Sequence, residues 1–272
     1  MNFWKSKLFV VSLYLDIRIM GYKYKINHNY FKEIDSEYKA YILGFIYADG
    51  SITQPKGNRQ KKLTLAIQEE DGYILEKLSQ DACGGQSYIL NPPAVQKRGW
   101  KKRAVVYATS NQMCDDLISK GCYIRKSQEG MKFPKIEEKY LSHFIRGFLD
   151  GDGSIILKKV NYKYKRKTTN IRKDTHIQRY KLKIAFCSTD KEFLIRIAKI
   201  LNIEKSYISS RMRKQLIHIL WIENIKDVTK SIDFLYKDAI YFLERKYDKI
   251  QQYNKTIKSQ AEDKSSEGLE TT

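Results

Sequence analysis

The chain has 272 residues, enough for one large domain or two ordinary ones, and 42% of them are apolar, enough for a buried core. Lys and Arg number 51 against 31 Asp and Glu; the resulting charge of +20 points to a polyanionic partner, nucleic acid before membrane. No GxxxxGK[ST] loop, HExxH pair or CxxC spacing occurs, so ATP-driven chemistry and a structural zinc site have no support, and Cys83, Cys114, Cys122 and Cys187 read as reduced, mostly buried thiols of an intracellular protein.

The first 23 residues form an N-terminal extension. Its apolar stretch, Leu8–Leu15, is short and soon broken by Asp16 and Arg18, so it reads as a small packing helix rather than a secretory signal. No run approaches the roughly 20 apolar residues of a membrane span. The next signal is "YILGFIYADGSI" at 41–52, an apolar helix that ends on an acid and a glycine. The same pattern returns as "FIRGFLDGDGSI" at 144–155, so that Asp49 and Asp152 stand in equivalent places. An acid at a helix C-terminus meets partial negative charge, at about 0.3–1 kcal/mol each. Something should offset that penalty.

Gly44 and Ala48, like Gly147 and Gly151, recur at i, i+4 and share one helix face, so the two helices can pack with backbones very close. Gly50 and Gly153 are expected to end the helices in the left-handed conformation. Close packing brings Asp49 and Asp152 together, and two facing carboxylates call for a cation; Mg²⁺ suits a few carboxylates, phosphate oxygens and water.

Downstream, "LTLAIQEEDGYILEKL" (63–78) lies over "LKIAFCSTDKEFLIRI" (182–197). Each reads as an alternating strand followed by a helix, with Asp71 and Asp190 as N-caps. "VVYATSN" (105–111) resembles "ILWIENI" (219–225), and "GCYIRKS" (121–127) sits where the second half has "YFLERKY" (241–247). The pattern is α+β, helix–strand–strand–helix–strand–strand–helix, twice: a first repeat at 24–135 and a second at 136–253. Residues 254–272 are polar without periodicity and read as a disordered tail.

The repeats differ in their hairpins. Lys158–Lys183 holds eleven Lys and Arg with one acid, whereas its counterpart, Thr53–Lys62, holds four and none. The candidate DNA-contacting residues are Lys56, Arg59 and Lys61 in the first hairpin and Lys97, Arg98 and Lys101 in the second. The long hairpin adds Lys163, Lys165, Arg166, Arg172 and Arg179, and the last adds Arg211 and Arg213. Basic β-ribbons of this kind fit the major groove of DNA.

From about Tyr24 to Ile250 the chain resembles the LAGLIDADG homing endonucleases in their single-chain, two-repeat form. The stretches that carry the resemblance are "FKEIDSEYKAYILGFIYADGSI", "KFPKIEEKYLSHFIRGFLDGDGSI" and "FLERKY". It implies motif helices packed at the centre of two pseudo-symmetric repeats, with the sheets forming a DNA-binding saddle. It also implies a monomer that makes site-specific double-strand breaks, Mg²⁺ (or Mn²⁺) as cofactor, and double-stranded DNA as partner. Asp49 and Asp152 then bind metal, with the adjoining positions Ala48 and Gly151. By position, Lys126 and Lys246 match the family's basic residue near each scissile phosphate. Gln68 is a weaker match for a water-ordering residue, with Cys187 in its place in the other repeat, and is left out of the catalytic set. Asp150 matches the motif's earlier acid, where Tyr47 stands in the first repeat. The alternatives on the same scaffold are a maturase that binds intron RNA and a non-cleaving DNA-binding protein. Such proteins belong to a prokaryotic or phage-host cytoplasm or to an organelle.

Overall fold

The computed structural model describes residues 25–55, 57, 59–85, 87–90, 101–124, 132–168, 171–203, 207–213 and 215–267, with backbone alone for 88–90, 162–168, 171–177 and 258–267. The expected N-terminal helix and the candidate residues Lys56, Lys97, Arg98 and Lys126 lie outside them.

The elements follow the repeat pattern. The first half runs α1 (Glu37–Asp49), β1 (Gly50–Thr53), β2 (Lys62–Gln68), α2 (Tyr73–Asp81), β3 (Ser87–Leu90), β4 (Arg103–Thr109) and α3 (Asn111–Ser119). The second runs α4 (Leu141–Asp152), β5 (Ser154–Thr168), β6 (Ile171–Ser188), α5 (Lys191–Ile200), β7 (Tyr207–Met212), β8 (Leu216–Ile222) and α6 (Ile225–Tyr236), then α7 (Glu244–Glu267). The two four-stranded antiparallel sheets have the same order, β1-β2-β4-β3 and β5-β6-β8-β7. Among the described residues no helix is long and apolar enough to cross a membrane.

The centre is α1 against α4. Nearly every residue of α1 from Tyr38 to Ala48 is buried, so this helix has no solvent face to keep polar and its sequence is apolar all round. Ser36 starts it by accepting the N–H of Lys39 at 3.4 Å. Glycine makes the crossing possible: a Cβ at Gly44 would lie 2.6 Å from the backbone nitrogen of Phe148, and one at Gly147 would lie 2.8 Å from the carbonyl carbon of Tyr41. At the lower end a Cβ on Gly151 would strike that of Ala48.

A buried arginine links the crossing to α6 and to the segment that joins it to α7. Arg146 of α4 donates to Glu37 Oε1 at 2.7 Å, to the carbonyl of Tyr241 at 2.8 Å and to that of Leu235 at 2.5 Å. The same Glu37 oxygen accepts the backbone N–H groups of Ile240 and Tyr241, at 2.8 and 3.1 Å. With all these donors and acceptors partnered, the buried charge is tolerated.

Three local expectations are corrected. Gly50 (φ −71°) and Gly153 (φ −89°) are extended, not left-handed. Glycine is needed there for closeness: a Cβ on Gly50 would sit 2.7 Å from the carbonyl oxygen of Ile46, and one on Gly153 2.6 Å from that of Leu149. Asp190 caps α5 by accepting the Phe193 N–H at 3.1 Å, but Asp71 does not cap α2, whose N-cap is Gly72. The Asp71 carboxylate is instead taken by Arg245. Finally, α7 runs on through residues 254–267, which composition marks as tail. Lys, Gln, Ala and Glu are good helix formers, and a helix already anchored by buried Ile250 and Tyr253 can extend without an apolar face.

Candidate active site and nucleic-acid interface

Asp49 and Asp152 close α1 and α4, and both are exposed at the end of otherwise buried helices. The contact between Ala48 and Gly151 joins the two C-terminal turns one residue before each acid. Both carboxylates therefore stand at one end of one crossing, beside the negative poles of two helices. The oxygen donors there, two carboxylates and the carbonyls of adjoining helix turns, are hard ligands that suit a hard divalent cation. Among the described residues no three His, Cys, Asp or Glu side chains gather into a cage of their own.

Each acid borders the open face of its sheet. Asp49 lines a depression with Gln68, Arg103, Lys101, Asp71 and Arg245. In this depression Arg245 grips Asp71 through two nitrogens, at 3.1 and 2.8 Å, and its pKa is raised chiefly by that bond. Arg103 donates to the carbonyl of Ala66 at 2.8 Å. Neither arginine is singled out by the sequence; Arg245 adjoins Lys246 in "ERKY", and no local pattern distinguishes the two. On the other side, the Cys187 thiol is pushed up by burial and then by the charge of Asp152, which puts Cys187 near that acid.

Lys246 is buried, and its ammonium donates to three carbonyls, Leu149 at 2.7 Å, Asp150 at 2.7 Å and Gly153 at 2.8 Å. Burial pulls its pKa down to about 8, against the charge of Asp150, so it is protonated at neutral pH. An ammonium has three donors, and all are engaged. This is a correction to the expected contact with a scissile phosphate: Lys246 caps the C-terminus of α4 and holds the turn that presents Asp152.

Asp150 lies deep in the crossing. Its Oδ2 accepts from the Tyr41 hydroxyl and the Leu243 N–H, both at 2.9 Å, and burial raises its pKa while Lys246 opposes. Tyr47, its counterpart, has one hydroxyl proton to share between the carbonyl of Lys132, at 2.9 Å, and that of Lys120.

The candidate DNA contacts divide. Arg59, Lys101, Arg211 and Arg213 are exposed, and Arg179 is half-buried. Lys101 pairs with Glu70 at 2.8 Å on the surface. Lys61 is corrected: strand alternation turns it toward the helices, where it pairs with Asp115 of α3. Its neighbour Lys62 takes the open face instead, 4.2 Å from the ring centroid of Tyr107. Lys163, Lys165 and Arg166 lie on β5 and Arg172 on β6, in a hairpin whose backbone pairing runs from Ser154–Ala185 out to Thr168–Ile171. The first hairpin pairs only from Gly50–Leu65 to Thr53–Lys62.

A scan of protein-family models finds no match, and neither does a sequence search of curated proteins. Solved structures do match. The LAGLIDADG meganuclease I-AabMI, solved bound to uncleaved DNA, aligns over 84% of this chain and 92% of its own, with a TM-score of 0.52 at 12% identity. The chain has the LAGLIDADG fold. I-CpaMI, a second LAGLIDADG meganuclease solved with uncleaved DNA, gives a TM-score of 0.51 at 12% identity over 83% of this chain and 92% of its own. In this chain "YILGFIYADGSI" and "FIRGFLDGDGSI" begin on α1 and α4, and the two sheets are β1-β2-β4-β3 and β5-β6-β8-β7.

Proposed function

We propose that the protein is a site-specific endonuclease that hydrolyses one phosphodiester bond in each strand of a long, asymmetric DNA duplex, acting as a monomer. The observation that carries this reading is the exposure of Asp49 and Asp152 at the one end where α1 and α4 are locked together by glycine. Acids so placed disfavour their own helices, and a site for a bound cation is what offsets that penalty.

Asp49 and Asp152, with the adjoining turns at Ala48 and Gly151, are the residues to hold divalent metal, Mg²⁺ or Mn²⁺. When bound, such a metal lowers the pKa of water and stabilises the leaving oxygen. The chain's own part is positioning. The glycine crossing fixes the spacing of the two carboxylates, and Lys246 holds the Asp152 turn through three carbonyls. On the Asp49 side, Arg103 supplies positive charge for a phosphate, Arg245 is committed to Asp71, and Gln68 borders the same depression. The basic hairpins, with the net charge of +20, attract the duplex.

The test is cleavage of duplexes selected from a randomised library in Mg²⁺, with Asp49→Asn and Asp152→Asn alongside. Each variant should lose double-strand cleavage and keep duplex binding within a fewfold. Normal cleavage by either variant overturns the assignment of the acids. Binding to RNA, with no duplex selected, overturns the endonuclease reading in favour of the maturase one.

A further inference from the structure

The two sheets present different chemistry on the faces turned away from the helices. In β2, Leu63, Leu65 and Ile67 are buried beneath the sheet, so Thr64, Ala66 and Gln68 point the other way. Residues directly opposed across strands share a face, which puts Arg103 beside Gln68 and Tyr107 beside Thr64. This open face is rich in hydrogen-bonding groups.

The second sheet is otherwise. Ile184, Phe186, Leu220 and Ile222 are buried on the helix side. By the same alternation, Ile156, Ile217, Ile219 and Trp221 stand on the open face, each only half-buried. Where the first sheet sets Arg103 across from Gln68, the second sets Ile219 across from Cys187. The indole of Trp221 donates to Ser209 Oγ at 3.1 Å, so its one polar atom is already partnered. Four large apolar side chains on a solvent-facing sheet are unfavourable unless something covers them. Charge indicates what does. Lys158 is exposed on the same face, and Arg211 is paired across from Ile217, so the covering partner is polyanionic yet offers apolar groups. In the DNA major groove, the apolar feature is the 5-methyl group of thymine.

Resting on the endonuclease reading above, we propose that Ile156, Ile217, Ile219 and Trp221 read thymine methyl groups. The half-site under the second repeat is then specified by T·A pairs through apolar contact, and the half under the first repeat through hydrogen bonds. Isoleucine has no donor or acceptor with which to tell bases apart, and a methyl group is what it can pack against.

The measurement uses a duplex selected by the wild-type protein and rebuilt with deoxyuridine for thymine in one half at a time. Deoxyuridine keeps every hydrogen-bonding group of thymine and lacks only the methyl. At fixed salt, affinity should fall about fourfold per contacted thymine, the worth of one buried methyl, and in one half only. In the Ile217→Gln, Ile219→Gln protein that penalty should vanish at the thymines those two side chains cover and persist at the ones read by Ile156 and Trp221, which assigns the half to the second repeat. The wild-type arm stands even if this variant folds poorly. An equal penalty in both halves, or none in either, overturns the proposal while leaving the endonuclease reading intact. Failure to select any duplex overturns both.

Discussion

Replacing Gly147 by alanine tests the geometry on which both acids depend. A Cβ there would sit 2.8 Å from the carbonyl carbon of Tyr41, and closer still to its oxygen. Both atoms are backbone and cannot rotate away. Ordinary contact begins at 3.4 Å, so the helices must part by more than about half an ångström at their closest point. A gap of about 0.5–1 Å forfeits a quarter to a half of each dispersion contact, and overpacking of a tight core costs about 1–3 kcal/mol. Helix propensity acts the other way, by about 1 kcal/mol in favour of alanine. With the clash at the upper end, because backbone meets backbone, the net loss is about 2 kcal/mol. For a chain of this size that lowers the melting temperature by about 4–8 °C, which calorimetry resolves. Cleavage should fall further than binding, because parting the helices moves Asp49 relative to Asp152. A midpoint that stays level or rises, as propensity alone dictates, would refute the close crossing.

Two further perturbations probe the supports of the site. Burial raises the Asp150 carboxyl above the usual range, so its contribution to stability is full below about pH 4 and is lost as pH rises through the raised value. Compared with Asp150→Asn in denaturant titrations, wild type should therefore gain stability as pH falls from 7 toward 4; a pH-independent difference would contradict the burial. Arg245→Ala leaves the Asp71 carboxylate, only 7% exposed, without its partner, whereas Arg245 itself is 45% exposed. Discounted for that exposure, the loss should be about 1–3 kcal/mol, and Asp71→Asn in the same chain should restore most of it; an additive second loss would mean the pair does not interact.

The parts that depend on periodicity were readable. Alternating apolar residues marked β2 and β6, and the small residues at i, i+4 marked the crossing face of α1 and α4. What the sequence hid was set by tertiary contacts. Nothing local tells that Asp71 meets Arg245, 174 positions away, rather than its own helix. Nor does the motif reveal that the lysine of "ERKY" is buried under α4, since a lysine in a first helical turn is ordinarily at the surface. Lys61 and Lys62 are equivalent by charge, and only the register of β2 decides which of them faces outward. Gly50 and Gly153 show the same limit: a glycine after a helix reads as a left-handed cap, whereas here it is required by the closeness of the preceding turn.

The two halves agree in their exposed acids and differ in what lies beneath them. In the second half, a buried carboxylate at Asp150 needs a hydroxyl from Tyr41, a backbone N–H from Leu243 and the nearby charge of Lys246 to be tolerable. In the first, Tyr47 fills the equivalent place with a neutral hydroxyl that reaches the carbonyls of Lys120 and Lys132. A neutral hydroxyl that shares its one proton between two neighbouring carbonyls avoids the desolvation of a charge and needs no buried lysine to balance it. The absence of an acid at position 47 is therefore no sign of a degraded site. Tyr47 anchors the end of α1 to the segment that leads into the second repeat, while Asp150 anchors α4 to the start of α7. Each helix end is anchored by a different part of the chain, while the crossing and the first turn of α7, through Arg245 beside Asp49 and Lys246 under the Asp152 turn, are common to both acids. Under the proposed function, a substitution at Tyr47 or Asp150 should disturb one acid more than the other, so a plasmid-cleavage gel should show nicked duplex accumulating before cleavage is lost, and equal loss of both products would contradict it.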